Sequence, residues 1–118
     1  MKIYVAHAFD YPDFRNELYK PLRKIKEVDF IFPYENNDVP SSTKNIIKGV
    51  NMMICDVSSQ KLGTGIEIGW ADAFGVPIIF IYKTGSKLSR SLDIVSNKFI
   101  EYNRVENILD EIGELICM

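Results

Sequence analysis

Apolar residues along this chain fall into two patterns, short dense runs and wider-spaced stripes. The dense, β-prone runs cover residues 2–6, 28–32, 51–57, 76–82 and 98–102, and each predicts a strand. The third and fourth are almost continuously apolar, which means burial on both faces, as in a parallel sheet covered by helices. The stripes between them predict helices. Phe14, Leu18, Leu22 and Ile25 recur at helical spacing; Pro12 suits a first helical turn, and Pro21 sits where a continuous helix loses a hydrogen bond, so a kink or break is expected there. Pro33 closes the second strand, Glu35 to Pro40 is polar loop, and Ser41 or Ser42 is placed to cap a short helix carrying Ile46, Ile47 and Val50. A further helix begins near Thr64 and stops at Gly75, ahead of Pro77. Another carries Leu88, Leu92 and Val95 after Lys83-Thr84-Gly85-Ser86. The last, capped by Asn103, sets Val105, Ile108, Leu109, Ile112 and Ile116 in one stripe. Repeats, linkers and low-complexity segments are absent from the pattern.

Five strands alternating with five helices predict an α/β fold: a flavodoxin-like, doubly wound, five-stranded parallel sheet of order 2-1-3-4-5 with helices on both faces. Strands 1 and 3 are neighbours in that order, and the winding reverses between them. The loops after both strands therefore open into one crevice, lined by His7 to Tyr11 on one side and Asp56 to Glu67 on the other.

Composition narrows the class. The chain has 118 residues, 47% hydrophobic and 25% charged, which suits one domain over 1–118 with a sizeable core. A net charge of −2 provides no footprint for a polyanion, so a small molecule is expected rather than a nucleic acid polymer. The N-terminus runs straight into strand-like sequence with no leader pattern, and no apolar run approaches the roughly 20 residues that span a bilayer. The expectation is a cytoplasmic protein without membrane contact. Cys55 and Cys117 lack metal-site or redox-pair spacing and read as free thiols, Cys55 in the core.

The chemistry concentrates in Leu62-Gly63-Thr64-Gly65-Ile66-Glu67-Ile68-Gly69-Trp70-Ala71, directly after the strand ending in Asp56. Gly63 and Gly65 let a backbone approach a ligand closely, and amides at a helix start can hold a phosphate or hydroxyl. Glu67 falls in the first turn, where the helix dipole favours its ionised form. Two readings of it are open: a carboxylate that attacks or accepts a hydrogen bond, or the far half of a capping box with Thr64. Asp56 can hold a sugar hydroxyl or structure its own loop, and Asp56-Val57-Ser58-Ser59 is turn chemistry, which favours the loop. His7, the only histidine, can contact a base or act as an acid near neutral pH. Lys61 and Lys83 flank the crevice and can attract an anion or simply be solvated. Trp70 and Phe74 read as packing residues.

The run from Asp56 to Tyr82, with Gly63, Gly65, Glu67, Gly69 and Ala71 in phase, resembles the core motif of the nucleoside 2-deoxyribosyltransferase and 2'-deoxynucleoside 5'-monophosphate N-glycosidase family; Ile3-Tyr4-Val5-Ala6 resembles that family's first strand. The resemblance implies catalysis by Glu67 as nucleophile on an anomeric carbon, with Tyr4 orienting it by a hydrogen bond; the alternative for Tyr4 is a core aromatic with a satisfied hydroxyl. It also implies substrate contacts from Ser58 and from Ser89 or Ser91, though each serine fits a cap or surface role as well. No metal or organic cofactor is implied, and a homodimer or higher homo-oligomer is.

Two positions depart from the family. The aspartate that helps protonate the leaving base falls on Thr43, and threonine is not a general acid, so Asp38, Asp56 or a neighbouring subunit would supply the proton, or the leaving group differs, or the chain binds without turnover. The loop His7-Ala8-Phe9-Asp10 lacks the Gly/Arg-rich phosphate loop of the monophosphate hydrolases, and Asp10 would repel a 5'-phosphate. The expected function is cleavage or transfer at the N-glycosidic bond of a nucleoside or nucleotide. The rivals are a non-catalytic nucleotide-binding module and, further off, a phosphoacceptor receiver domain that would use Asp56, Thr84 and a metal held by acidic residues after the first strand.

Overall fold

The structure, a computed structural model, describes residues 1–35 and 42–117. The strands are β1 (Lys2–Ala6), β2 (Asp29–Ile31), β3 (Met52–Asp56), β4 (Ile78–Lys83) and β5 (Phe99–Tyr102). They form one sheet in the order β2-β1-β3-β4-β5 with every neighbouring pair parallel, as the patterning predicts.

Strand pleating sorts the core into two layers, because successive side chains point to opposite faces. Ile3, Val5, Ile54, Ile79 and Ile81 pack on one face with Leu18, Leu22, Ile108 and Ile112. Tyr4, Ala6, Met53, Cys55 and Phe80 pack on the other with Ile47, Ile68 and Ala71. Register locks this sorting, since Tyr4 lies beside Met53 and Ala6 beside Cys55.

The helices are shorter than the apolar stripes suggest. Residues 14–25 do not form one helix. A π-helical stretch at Arg15–Tyr19 passes into α1 (Lys20–Leu22), with Pro21 in the first α-helical turn, where a missing N–H is tolerated. The backbone stays helical through Pro21, and the change from π- to α-helical bonding falls just before it, so no break occurs at the proline itself. Helix α2 is Lys44–Lys48, with Thr43 in the cap position. The Lys44 amide lies 3.4 Å from the Ser42 hydroxyl, so Ser42 serves the helix start from one residue further out. Ser41 and Asp38 lie outside the described residues.

Helix α3 is Leu62–Ala73. It ends where the glycine predicts: Gly75 has φ +73°, its amide bonds the Asp72 carbonyl, and the Val76 amide bonds that of Ala71. That is a Schellman stop, which a side chain at position 75 would strain. Helix α4 covers only Leu92–Val95 and omits Leu88. The Ser89 and Ser91 hydroxyls bond each other at 2.6 Å and the Ser91 amide turns to Ser89 Oγ, local bonding that competes with an earlier helix start. The last helix enters through a 3-10 turn, Val105–Ile108, before α5 (Leu109–Ile116). Arg104, not Asn103, holds the cap position, and no side chain caps it. The predicted stripe is sound: Val105, Ile108, Ile112 and Ile116 are buried and Leu109 packs beside them. Among the described residues no helix is long and apolar enough to cross a membrane.

Candidate active site

Helix α3 starts two residues before the sequence suggests, with Lys61 in extended backbone at the cap and no capping side chain. Thr64 is therefore buried inside the first turn and Glu67 lies in the second, so the capping box does not form. The dipole argument weakens accordingly, since the effect fades beyond the first turn. The glycines also divide. The Gly65 amide donates to the Lys61 carbonyl at 3.1 Å and is used by the helix, whereas the amides of Leu62, Gly63 and Thr64 precede the first intrahelical bond.

What holds Glu67 is two hydroxyls from other elements. The Tyr4 hydroxyl, on β1, donates to Glu67 Oε2 at 2.6 Å. The Thr43 hydroxyl, at the start of α2, donates to the same oxygen at 2.6 Å. Pleating explains the meeting: Tyr4 points to the sheet face that α2 and α3 cover. Among the described residues none donates to Oε1. Burial, and next the Glu67 charge, push the Tyr4 hydroxyl far above its ordinary range, so it stays a donor at any physiological pH.

Glu67 shares a helical face with Gly63 and Thr64, four and three residues earlier. Both line a cleft of about 330 Å³ together with His7, Ala8, Phe9, Asp10, Tyr34 and Lys61. The cleft lies outside the carboxyl ends of β1 and β3, at the predicted switch point. Lys61 Nζ and Asp10 Oδ2, 3.1 Å apart, tie the start of α3 to the loop after β1. Asp10 thus has a cation beside it rather than standing as a bare repulsive charge. A larger cavity of about 540 Å³ shares Lys61 and Thr64 but opens toward Gly65, Ile66, Ser89 and Ser91. Neither lining includes Glu67, Tyr4 or Thr43, but Tyr34 on the wall of the smaller cleft has its hydroxyl pKa raised by burial and next by the Glu67 charge, so we assign the chemistry to the smaller cleft.

The other sequence-derived candidates are placed as follows. His7 is 3% exposed and bonded at both ring nitrogens. Its Nδ1 faces the Ala8 carbonyl at 2.7 Å, which can only accept, so Nδ1 carries the proton and Nε2 accepts from the Tyr19 hydroxyl at 2.6 Å. Burial holds its pKa below the ordinary histidine value, which argues against an acid near neutral pH. Asp56, also 3% exposed, faces the opposite side of the sheet from Tyr4. Its Oδ1 accepts the Ser58 amide at 3.0 Å and its Oδ2 accepts the Tyr102 hydroxyl, which itself lies 2.8 Å from the Tyr11 hydroxyl. That supports the loop-structuring reading and does not fit a phosphoacceptor, which needs an accessible carboxylate. Ser58 Oγ accepts the Lys83 amide at 2.9 Å and joins the loop after β3 to the end of β4. Ser89 lines the larger cavity. Lys83 sits over the Tyr11 ring, 4.1 Å from its centroid.

Thr43, Phe9 and Tyr34 gain roles that sequence reasoning did not give them. Thr43 reads as a missing acid, and nothing local marks its hydroxyl for a carboxylate on another helix. Phe9 falls within the predicted loop wall, and its 67% exposure is the signal of an aromatic without core duty. Tyr34 follows Pro33 in what reads as loop; its ring, 5.1 Å from that of Phe9, reaches the cleft through tertiary packing alone.

Comparisons with known proteins bear on the fold and the family. No family model matches the chain. A curated relative from Syntrophotalea carbinolica, named provisionally as 2'-deoxynucleoside 5'-phosphate N-hydrolase 1, is 27% identical over 62 residues, 52% of this chain and 44% of the relative. The match thus spans less than half the length of that protein. The structure of Clostridium botulinum CMP N-glycosidase, BcmB, superposes with a TM-score of 0.66 at 25% identity, covering 95% of this chain and 98% of that one. A 2-deoxyribosyltransferase from Bacillus psychrosaccharolyticus gives a TM-score of 0.72 at 18% identity over 96% of this chain and 90% of its own, a likeness of fold. The resemblance to the nucleoside 2-deoxyribosyltransferase and N-glycosidase family is borne out.

Proposed function

We propose that this chain, acting as a single domain, cleaves or transfers across the N-glycosidic bond of a nucleoside or nucleotide with Glu67 as nucleophile. The observation that carries the reading is the grip of Tyr4 and Thr43 on one oxygen of Glu67 beside a cleft at the sheet's switch point. A carboxylate held this way keeps its second oxygen for attack and needs no reorientation when the bond forms.

The reaction runs in two halves. Glu67 Oε1 bonds to C1′ while the C1′–N bond breaks, its electron pair leaving with the base, which takes up one proton from the surrounding water. Water then attacks C1′ and the ester C–O bond breaks, returning the carboxylate and releasing one proton. Water's hydrogen ends on the base and its hydroxyl on the sugar; a second base in place of water gives transfer. Tyr4 orients the nucleophile, and as the bond to Oε1 forms its hydroxyl remains on the ester's other oxygen.

The cleft suits such a substrate. Phe9 and Tyr34 provide aromatic surface for a base. The first-turn amides and Lys61 offer donors to sugar or phosphate oxygens, and His7, Gly63 and Thr64 form the wall between. We propose a homodimer or higher oligomer, supported by the exposed apolar residues Leu62 and Ile66, which line the larger cavity together with Ser89.

A second reading, a nucleotide-binding module without turnover, draws on one observation: the position of the family's acid is Thr43, whose proton is directed at Glu67. Incubation of the purified protein with nucleosides and 5'-monophosphates, with and without a second free base, separates the two. Base release or exchange that vanishes in Glu67→Ala is the expected result; tight binding with no release would favour the module.

A further inference from the structure

Thr43 stands at the start of α2 in the position where a hydroxyl ordinarily accepts a backbone amide, yet it makes no cap bond. The hydroxyl is turned instead to Glu67 Oε2, 2.6 Å away on α3. The Lys44 amide, one residue before those a capping hydroxyl takes, lies 3.4 Å from Ser42 Oγ. The Thr43 backbone is already helical, φ −99° and ψ −3°, which leaves the hydroxyl free of capping duty, and a β-branched residue, stiff at χ1, holds its direction toward Glu67 at little entropic cost.

The partner already has one strong donor. Tyr4 reaches the same oxygen at 2.6 Å from a buried strand, so Oε2 takes donors from two elements, β1 and the start of α2, whose hydroxyls also interact with each other. A single donor leaves a carboxylate free to swing about the axis of that bond; a second from another direction stops it. We infer that Thr43 is a positioning residue: with Tyr4 it clamps Glu67 Oε2 and presents Oε1 as the reacting oxygen. The inference rests on the proposed role of Glu67 and assigns to Thr43 a duty different from proton donation. Its only hydroxyl proton is committed to Glu67, so the proton taken by a departing base has another source.

Three variants of the full chain test this. Thr43→Val keeps the branched shape and removes the donor; Thr43→Ser keeps the donor; Tyr4→Phe removes the other clamp. With a substrate turned over by the wild type, Thr43→Val is expected to lower kcat about 10- to 100-fold, the value of a hydrogen bond to a charged group, with KM within about twofold. Thr43→Ser restores kcat to within about threefold of wild type, because the donor returns. An unchanged kcat in Thr43→Val overturns the inference, and so does a loss that Thr43→Ser does not rescue or one that appears in KM alone. The carboxyl carbon resonance of Glu67, followed by NMR in the free protein, gives a readout independent of turnover. The resonance shifts and broadens in Thr43→Val and Tyr4→Phe and is restored in Thr43→Ser if the clamp exists; a resonance unmoved by Thr43→Val overturns it. A wild type silent on every nucleoside and nucleotide defeats the proposed function, and the resonance then still decides the clamp.

Discussion

Asp56 and Glu67 both stand near the carboxyl edge of the sheet, and a tyrosine hydroxyl bonds each of them. Their surroundings differ in what is left over. Asp56 is 3% exposed, with one oxygen on the Ser58 amide and the other on Tyr102, so its accepting capacity is directed into the scaffold. Glu67 is half-buried, and both of its donors crowd onto Oε2. Full saturation makes a carboxylate a fastener, whereas lopsided saturation aims it. Pleating separates the two: Asp56 shares the sheet face of Ile54, while Tyr4 and Cys55 point to the face that receives Glu67.

The sharpest test of that contrast exchanges each carboxylate for its amide. Glu67→Gln is expected to lower base release by at least about 10³-fold, as loss of a nucleophile does, with a thermal midpoint close to wild type. Asp56→Asn should stay within about threefold of wild-type activity per folded molecule, since the amide keeps the Ser58 bond. Equal losses in both would end the distinction. Next in size is Asp56→Ala, which takes the acceptor from the Ser58 amide, leaves Tyr102 only its Tyr11 partner, and should cost about 1–3 kcal/mol in urea unfolding. An Asp56→Ala variant as stable as wild type would mean that water serves both groups.

Tyr4→Phe sharpens the other side. It removes one clamp but leaves the ring in the core, so we expect a fall in kcat of about 10- to 100-fold with stability nearly intact, read by steady-state kinetics beside thermal melts. The smallest effect is in pH dependence. Burial raises the Asp56 pKa, outweighing the bonds from Tyr102 and Ser58 that lower it. The folded state then favours the protonated form, so this group's contribution is fully present below the ordinary carboxylate value and is lost as pH rises through the elevated one. The melting temperature of Asp56→Asn relative to wild type should accordingly be more favourable at pH 8 than at pH 3, below the ordinary carboxylate value. A difference that does not change between those pH values would show that Asp56 titrates normally.

Much of this was legible before any coordinates. Apolar runs of strand length, alternating with stripes, lead to the sheet order because parallel strands buried on both faces leave few topologies. The Tyr4–Glu67 pair followed from resemblance, not from spacing. Asp56's orientation was readable in principle, since Ile54-Cys55-Asp56 alternates and only one parity can face Tyr4. The start of α3 was not readable: Lys61 carries no capping signal, while Thr64-Gly65-Ile66-Glu67 matches a capping box that tertiary bonds override. The Thr43 hydroxyl was hidden for the same reason, because its partner lies on another helix and local pattern cannot register it.

Helix α3 also carries an unused reserve of thermostability. Among the described residues, a methyl group added at Gly63, Gly65 or Gly69 would meet nothing within 4 Å. Glycine inside a helix costs about 0.5–1 kcal/mol relative to alanine, so Gly69→Ala is a gain this chain forgoes unless another body rests on that surface. A protein engineer would therefore find two answers in one substitution: a hardier protein if the surface meets only solvent, and a weakened assembly if a second copy sits there.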